Sequence, residues 1–242
     1  MLTSYSGRTA LVTGAGSGIG KAACAALSDM GMNLVLCGRK KEKLLNAAEE
    51  SKCSEGHFLL EAGDLTEPVQ IKKAADDARR TFGSIDVLIN NAGMALNKSL
   101  EETTLSEFRE LMQINAEVPF LFCQELLPDL RKSEVPAIIN IASVTAYHGY
   151  KDQSAYSASK HALLGLSESL AKEVQKDNIR VHVICPGGVY TDMIRTARPD
   201  LSPEGLILPE DIAEYIRFLL EHRSNAVVDR IDIHRTGKEP FL

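Results

Sequence analysis

The chain has 242 residues, 44% of them apolar and 25% charged, with no Trp and a formal net charge of −6. That is enough apolar material for a large core, which excludes a disordered chain and a disulfide-dependent mini-fold. No apolar run approaches the ~18–20 residues of a membrane span, and the acidic balance argues against a general nucleic-acid binder. The N-terminal MLTSYSGRTALVTG passes from Ser and Gly into a strand-like run without an apolar signal core. Five Cys, at 24, 37, 53, 123 and 185, are odd in number and widely spaced. They predict reduced thiols in a cytoplasmic compartment and no metal site.

Seven short β-rich runs recur along the chain, at 9–13, 33–37, 57–61, 86–90, 137–142, 181–185 and 230–233. Most are apolar without alternation, the pattern of strands covered on both faces. Helix-period segments lie between them, at 19–30, 41–50, 67–82, 105–130, 156–176 and 209–221. The third carries helix punctuation, with Thr66 as the expected N-cap, Pro68 just inside and Gly83 past the end. Strand and helix in alternation predict βαβ units with right-handed crossovers. The expected fold is a single α/β domain of Rossmann type, a doubly wound parallel sheet of about seven strands. A TIM barrel alternates similarly, but seven strands with uneven gaps fit it less well.

TGAGSGIG at 13–20 falls between the first strand and the first helix. Glycines at 14, 18 and 20 allow a tight turn and close approach to a pyrophosphate, whose charge meets the positive end of the helix. The spacing is Gly-x-x-x-Gly-x-Gly rather than GxGxxG, since Ile19 stands at the third glycine position. An NAD site wants an acid at the end of the second strand for the ribose hydroxyls. This chain has Arg39, Lys40 and Lys41 there. A guanidinium grips a 2′-phosphate with paired hydrogen bonds, so NADP is expected over NAD; a solvated basic helix start is the bland alternative.

YSASK places Tyr156 and Lys160 one helical turn apart. A free phenol has a pKa of ~10 and needs its phenolate stabilised to act near neutrality, which a neighbouring ammonium supplies. Ser143 ends the fifth strand, where ligands bind in open α/β sheets; its hydroxyl can donate to a substrate carbonyl or simply cap a turn. Pro119 follows Asn115 by four residues, so the Asn115 carbonyl loses its helical donor and a kink is expected.

TGAGSGIG, NNAG at 90–93, Asn115, Ser143, YSASK and PGGVYT at 186–191 resemble, in order and spacing, the short-chain dehydrogenase/reductase family. The resemblance implies reversible hydride transfer between NAD(P) and an alcohol/carbonyl pair, which the basic residues after the second strand narrow to NADP(H). It implies Tyr156 as general acid/base, Lys160 lowering its pKa and holding the nicotinamide ribose, Ser143 polarising the substrate oxygen, and Asn115 organising a proton relay. It further implies cofactor contacts at Gly14, Ser17, Gly18, Ile19 and Gly20, with Arg39 and Lys40 at the 2′-phosphate. Asp64 and Leu65 would meet the adenine, Asn91, Ala92 and Gly93 would flank the cofactor, and Pro186, Gly187, Val189 and Thr191 would orient the nicotinamide.

Residues 191–208 correspond to a short substrate lid, with Met193, Ile194, Leu206 and Leu208 as apolar walls and Arg195 and Arg198 at the mouth. Tyr147, His148 and Tyr150 either face the substrate or fill surface. Phe120, Phe122, Leu163, Leu166 and Leu170 are expected to leave apolar surface for a homodimer or homotetramer. The tail VVDRIDIHRTGKEPFL departs from the family's common Asp-Gly-Gly ending. Two other readings stand beside the reductase, a non-enzymatic NADP-binding sensor and, within the enzyme class, a 3-oxoacyl-thioester reductase.

Overall fold

A computed structural model describes residues 3–239; the last three residues of the divergent tail lie outside them. The strands are β1 (Thr9–Thr13), β2 (Asn33–Gly38), β3 (Phe58–Ala62), β4 (Val87–Asn90), β5 (Ala137–Ile141), β6 (Arg180–Pro186) and β7 (Arg230–Ile233). They form one sheet in the order β3-β2-β1-β4-β5-β6-β7, and every neighbouring pair is parallel. The order reverses between β1 and β4, which opens a crevice at their C-terminal ends. The expected Rossmann-type sheet is therefore observed.

The unbroken apolar runs are explained by burial on both sides. In β1, Ala10 and Val12 enter the core on one face, while Leu11 enters the core on the other. In β5, Ile139 and Ile141 pack with the first set and Ile138 with the second. A polar residue at any of these positions would lose its water without a partner. Strand β7 is the exception, an edge strand with alternating exposure.

The helices are α1 (Gly18–Asp29), α2 (Lys41–Glu50), α3 (Pro68–Phe82), α4 (Leu105–Met112), α5 (Val118–Leu130), α6 (Ser154–Val174), α7 (Asp192–Ala197) and α8 (Pro209–Glu221). Helix α3 starts at Pro68 and stops at Gly83, whose φ of 85° suits a glycine. Thr66 is not its N-cap, as expected from the sequence; Glu67 holds that position. Thr66 is drawn away instead, because its N–H and hydroxyl both donate to Asp64 Oδ1, at 3.0 and 2.8 Å.

The segment expected as one kinked helix over 105–130 is two helices joined by a π-helical turn at Gln113–Glu117. Val118 N–H reaches back five residues to the Gln113 carbonyl. Pro119, with no N–H, cannot serve the Asn115 carbonyl, and the wider turn absorbs the mismatch. Helix α7, absent from the sequence reading, is six residues capped by Thr191, whose hydroxyl accepts Ile194 N–H at 3.3 Å. So short a helix leaves no readable period. A parallel bridge between Val189 and Ile207 closes the base of this excursion.

The expected oligomer face is corrected in part. Phe122, Leu163 and Leu170 are buried inside the protomer, and Leu166 packs half-buried against the core. Phe120 alone of the five is exposed, at 47%. Helices packed on both neighbours and sheet carry apolar residues beyond one stripe without needing a partner chain.

Candidate active site

The phosphate-loop glycines are required by space as well as by turn geometry. A Cβ on Gly20 would lie 2.3 Å from the Gly14 carbonyl oxygen, and Gly18 has a φ of +51° with Thr191 Cγ2 2.8 Å from the same hypothetical atom. Asn91 braces this loop from the end of β4. Its Nδ2 donates to the carbonyls of Thr13 and Gly14, at 3.0 and 3.2 Å. The backbone N–H groups of Asn91 and Ala92 both donate to Thr13 Oγ1, at 3.0 and 2.9 Å. Helix α1 begins with no side-chain cap and no acid in its first turn, so its opening N–H groups are available to an anion.

A cavity of about 1310 Å³ runs along the C-terminal edge of the sheet. Of the site residues expected from the sequence, all but Gly20 and Asn115 line it. Arg39, Lys40 and Asp64 stand at one part of its wall, joined by Lys43, which the sequence reading passed over. Lys43 lies one turn beyond Lys40, and its Cβ is 2.9 Å from where a Gly16 Cβ would be. Asp64 is exposed; the Thr66 hydrogen bonds, helped by Arg39, hold its carboxyl below the usual range.

Tyr156, Lys160 and Ser143 share the same cavity. The first two project from one face of α6, as their spacing requires. Burial pushes the Tyr156 phenol up to about 12, while a hydrogen bond with Ser143 pulls it down. Lys160 is 5% exposed, and burial lowers it to about 8. Its Nζ donates to the Ile141 carbonyl at 2.9 Å, which ties α6 to the end of β5. The group that lowers the Tyr156 phenol against its burial is Ser143.

Asn115 is turned inward rather than onto the cavity wall. Its Oδ1 accepts Met94 N–H at 2.9 Å, and its Nδ2 donates to the Met94 carbonyl and to Ser159 Oγ, each at 2.9 Å. Ser159 in turn donates to the Tyr156 carbonyl at 2.7 Å. Gly93 sits where any side chain would strike Asn115, with Oδ1 2.8 Å and Lys160 Nζ 3.7 Å from its hypothetical Cβ. The Asn115 side chain therefore positions the loop after β4 against α6. The buried Asn90–Asn140–Ser167 hydrogen bonds, both 2.8 Å, continue this polar brace through the sheet.

At the other part of the cavity Met193 and Ile194 form wall as expected, but Leu206 packs on Gly188 and Leu208 faces solvent at 50% exposure. Arg195 lies off the wall in an ion pair with Asp192. Arg198 is on the wall and held by Asp200 at 2.6 Å. Tyr147, His148 and Tyr150 all reach the cavity, and the Arg230 guanidinium lies 4.7 Å from the Tyr147 ring centroid. No spacing or motif signalled that Arg230 and Arg235 of the tail would arrive here. No group of His, Cys, Asp and Glu suited to a metal occurs among the described residues. No described helix is long and apolar enough to cross a membrane.

Comparison with known proteins agrees with this geometry. The profile of the short chain dehydrogenase family matches residues 8–202. An uncharacterised oxidoreductase of Staphylococcus aureus is 32% identical over 232 residues, covering 96% of this chain and 99% of the relative. A metagenomic short-chain oxidoreductase, solved in complex with NADP, is 30% identical with a TM-score of 0.83, covering 98% of this chain and 100% of that one. A 3-ketoacyl-(acyl-carrier-protein) reductase from Brucella melitensis, complexed with NADH, is 28% identical with a TM-score of 0.87, over 96% and 98% of the two chains. The fold, the glycine loop and the family profile converge, and the chain is a member of the short-chain dehydrogenase family, an oxidoreductase.

Proposed function

We propose that this oxidoreductase transfers hydride between NADP(H) and an alcohol/carbonyl pair, with Tyr156 as the general acid/base. The observation that carries the reading is the shared cavity. Tyr156 and Ser143 line it together with the glycine loop at the N-terminus of α1, which no side chain caps. The dinucleotide fits this loop because Gly14, Gly16 and Gly18 present backbone without side chains to the cavity. Gly14, Ser17, Gly18 and Ile19 would hold its pyrophosphate. Asp64 and Leu65 would take the adenine, and Ala92, Gly93, Pro186, Gly187, Val189 and Thr191 the nicotinamide side. When bound, it supplies or accepts the hydride.

A phenol raised to about 12 is protonated at neutral pH, the form that donates to a carbonyl oxygen becoming an alcohol. Ser143 holds that oxygen beside the phenol, and Lys160 holds the ribose. Asn115 acts through position, fixing Met94 and the base of α6. The basic Arg39 and Lys40 in place of an acid at the end of β2, with Lys43 on the same wall, favour NADP over NAD. Residues 191–208 serve as the lid over the substrate. Five free thiols suit a reducing, cytoplasmic setting, and the exposed Leu105, Phe108 and Phe120 suit a homodimer or tetramer, testable by sedimentation.

The test is NADPH oxidation over a panel of ketones, dicarbonyls and 3-oxoacyl thioesters. Turnover lost in Tyr156→Phe with NADPH affinity retained supports the enzyme. Tight NADPH binding with no turnover on any carbonyl would move the reading to a redox sensor.

A further inference from the structure

The divergent tail brings two basic side chains, Arg235 and Lys238, to the cavity wall that Arg198 and Arg230 also line. Arg198 is held by Asp200, and Arg230 by Asp232 at 3.0 Å together with the Tyr147 ring. Arg235 differs. It is half-buried, and no carboxylate stands within 4 Å of its guanidinium among the described residues.

Its place is well defined. Strand β7 pairs Ile233 with Pro186, and Gly187 N–H donates to the Ile233 carbonyl at 2.8 Å. Two residues on, the Arg235 stem lies across Gly188, with Cδ and Nε each 3.7 Å from where a Gly188 Cβ would be. A turn with Lys238 N–H donating to the Arg235 carbonyl at 2.9 Å holds the backbone, and Lys238 joins the same wall. Two exposed acids of the tail share that wall, Asp232, already paired with Arg230, and Glu239. A half-buried guanidinium with no carboxylate beside it among the described residues gains most from a planar or tetrahedral oxyanion, which its fork grips by two hydrogen bonds.

We propose, on the carbonyl-reductase reading above, that Arg235 and Lys238 form an anion subsite for the substrate, so that the natural substrate carries a carboxylate or phosphate beside its carbonyl or alcohol. The subsite orients the molecule within the cavity it shares with Ser143 and Tyr156, and it discriminates against neutral analogues.

The experiment measures kcat/KM with NADPH for oxo acids from pyruvate to 5-oxohexanoate against their methyl esters, and for dihydroxyacetone phosphate against dihydroxyacetone. At least one anion is expected to exceed its neutral partner about 10- to 100-fold. Which series shows the advantage identifies carboxylate or phosphate. Arg235→Gln brings that ratio toward one while the neutral partner changes less than about two-fold, and Arg235→Lys restores part of it. As a readout independent of turnover, the preferred anion raises the Tm of the wild-type protein with NADPH more than its neutral partner does. That difference is lost in Arg235→Gln. Neutral substrates equal to anions throughout, or a preference surviving in Arg235→Gln, overturns the subsite and leaves the reductase intact. No turnover in either series overturns the reductase reading with it.

Discussion

Gly20→Ala tests the glycine cradle most directly. The new Cβ would lie 2.3 Å from the Gly14 oxygen and 2.6 Å from Asn91 Nδ2, where real Cβ atoms keep at least 3.0 Å. The Gly14 peptide must therefore retreat by roughly 0.7 Å, overpacking that costs about 1–3 kcal/mol. The retreat breaks the Asn91 Nδ2 bond to Gly14 and strains the one to Thr13. Each is worth about 1 kcal/mol. Against this, alanine in a first helical turn returns up to about 1 kcal/mol over glycine. The net loss is about 1–3 kcal/mol, a Tm fall of about 3–9 °C in a chain of this size. NADPH affinity should drop at least about ten-fold, since the displaced peptide faces the pyrophosphate. Thermal melts and fluorescence titration with NADPH read both quantities. A Tm within about 1 °C of wild type with unchanged NADPH affinity would refute the cradle.

Burial of Lys160 makes the protein's stability depend on pH in a defined direction. Its folded pKa, about 8, lies below the ordinary 10.5, so between these values the unfolded chain binds more protons and stability rises with pH. The whole effect is on the order of 3 kcal/mol, and the rise should vanish in Lys160→Met, measured by urea denaturation without cofactor from pH 7.5 to 10.5. A parallel pair of pH curves would count against it. Arg39→Asp should lower the NADPH-over-NADH ratio of kcat/KM by about 10- to 100-fold, because the new carboxylate repels the 2′-phosphate; unchanged values for both cofactors would refute that assignment. Pro119→Ala returns an N–H donor to the turn that frees the Asn115 carbonyl, and should lower kcat with NADPH affinity unchanged. Full activity with an unshifted pH profile would remove the π-helical turn from the mechanism.

Much of this protein was legible in one dimension. The unbroken apolar runs of β1, β4 and β5 announced strands buried on both faces, and their alternation with helical segments announced the parallel sheet. Local spacing was equally informative where one turn sets the geometry, as for Gly14 to Gly20 and for Tyr156 with Lys160. The expectations that failed depended on partners distant in sequence. Thr66 lost its capping role to Asp64, Phe122 and Leu163 went inward rather than outward, and Arg195 was taken by Asp192.

Periodicity and short spacings are properties of neighbours along the chain, so strands, helices and the phosphate turn follow from the residues themselves. The rotation of each helix about its axis, and the pairing of β7 beside β6, are decided by packing among elements many residues apart. That is why Asn115 could be singled out yet only the fold turned its amide toward Met94 and Ser159. It is also why Arg235, in the divergent tail, reaches the cavity only once β7 has closed the sheet.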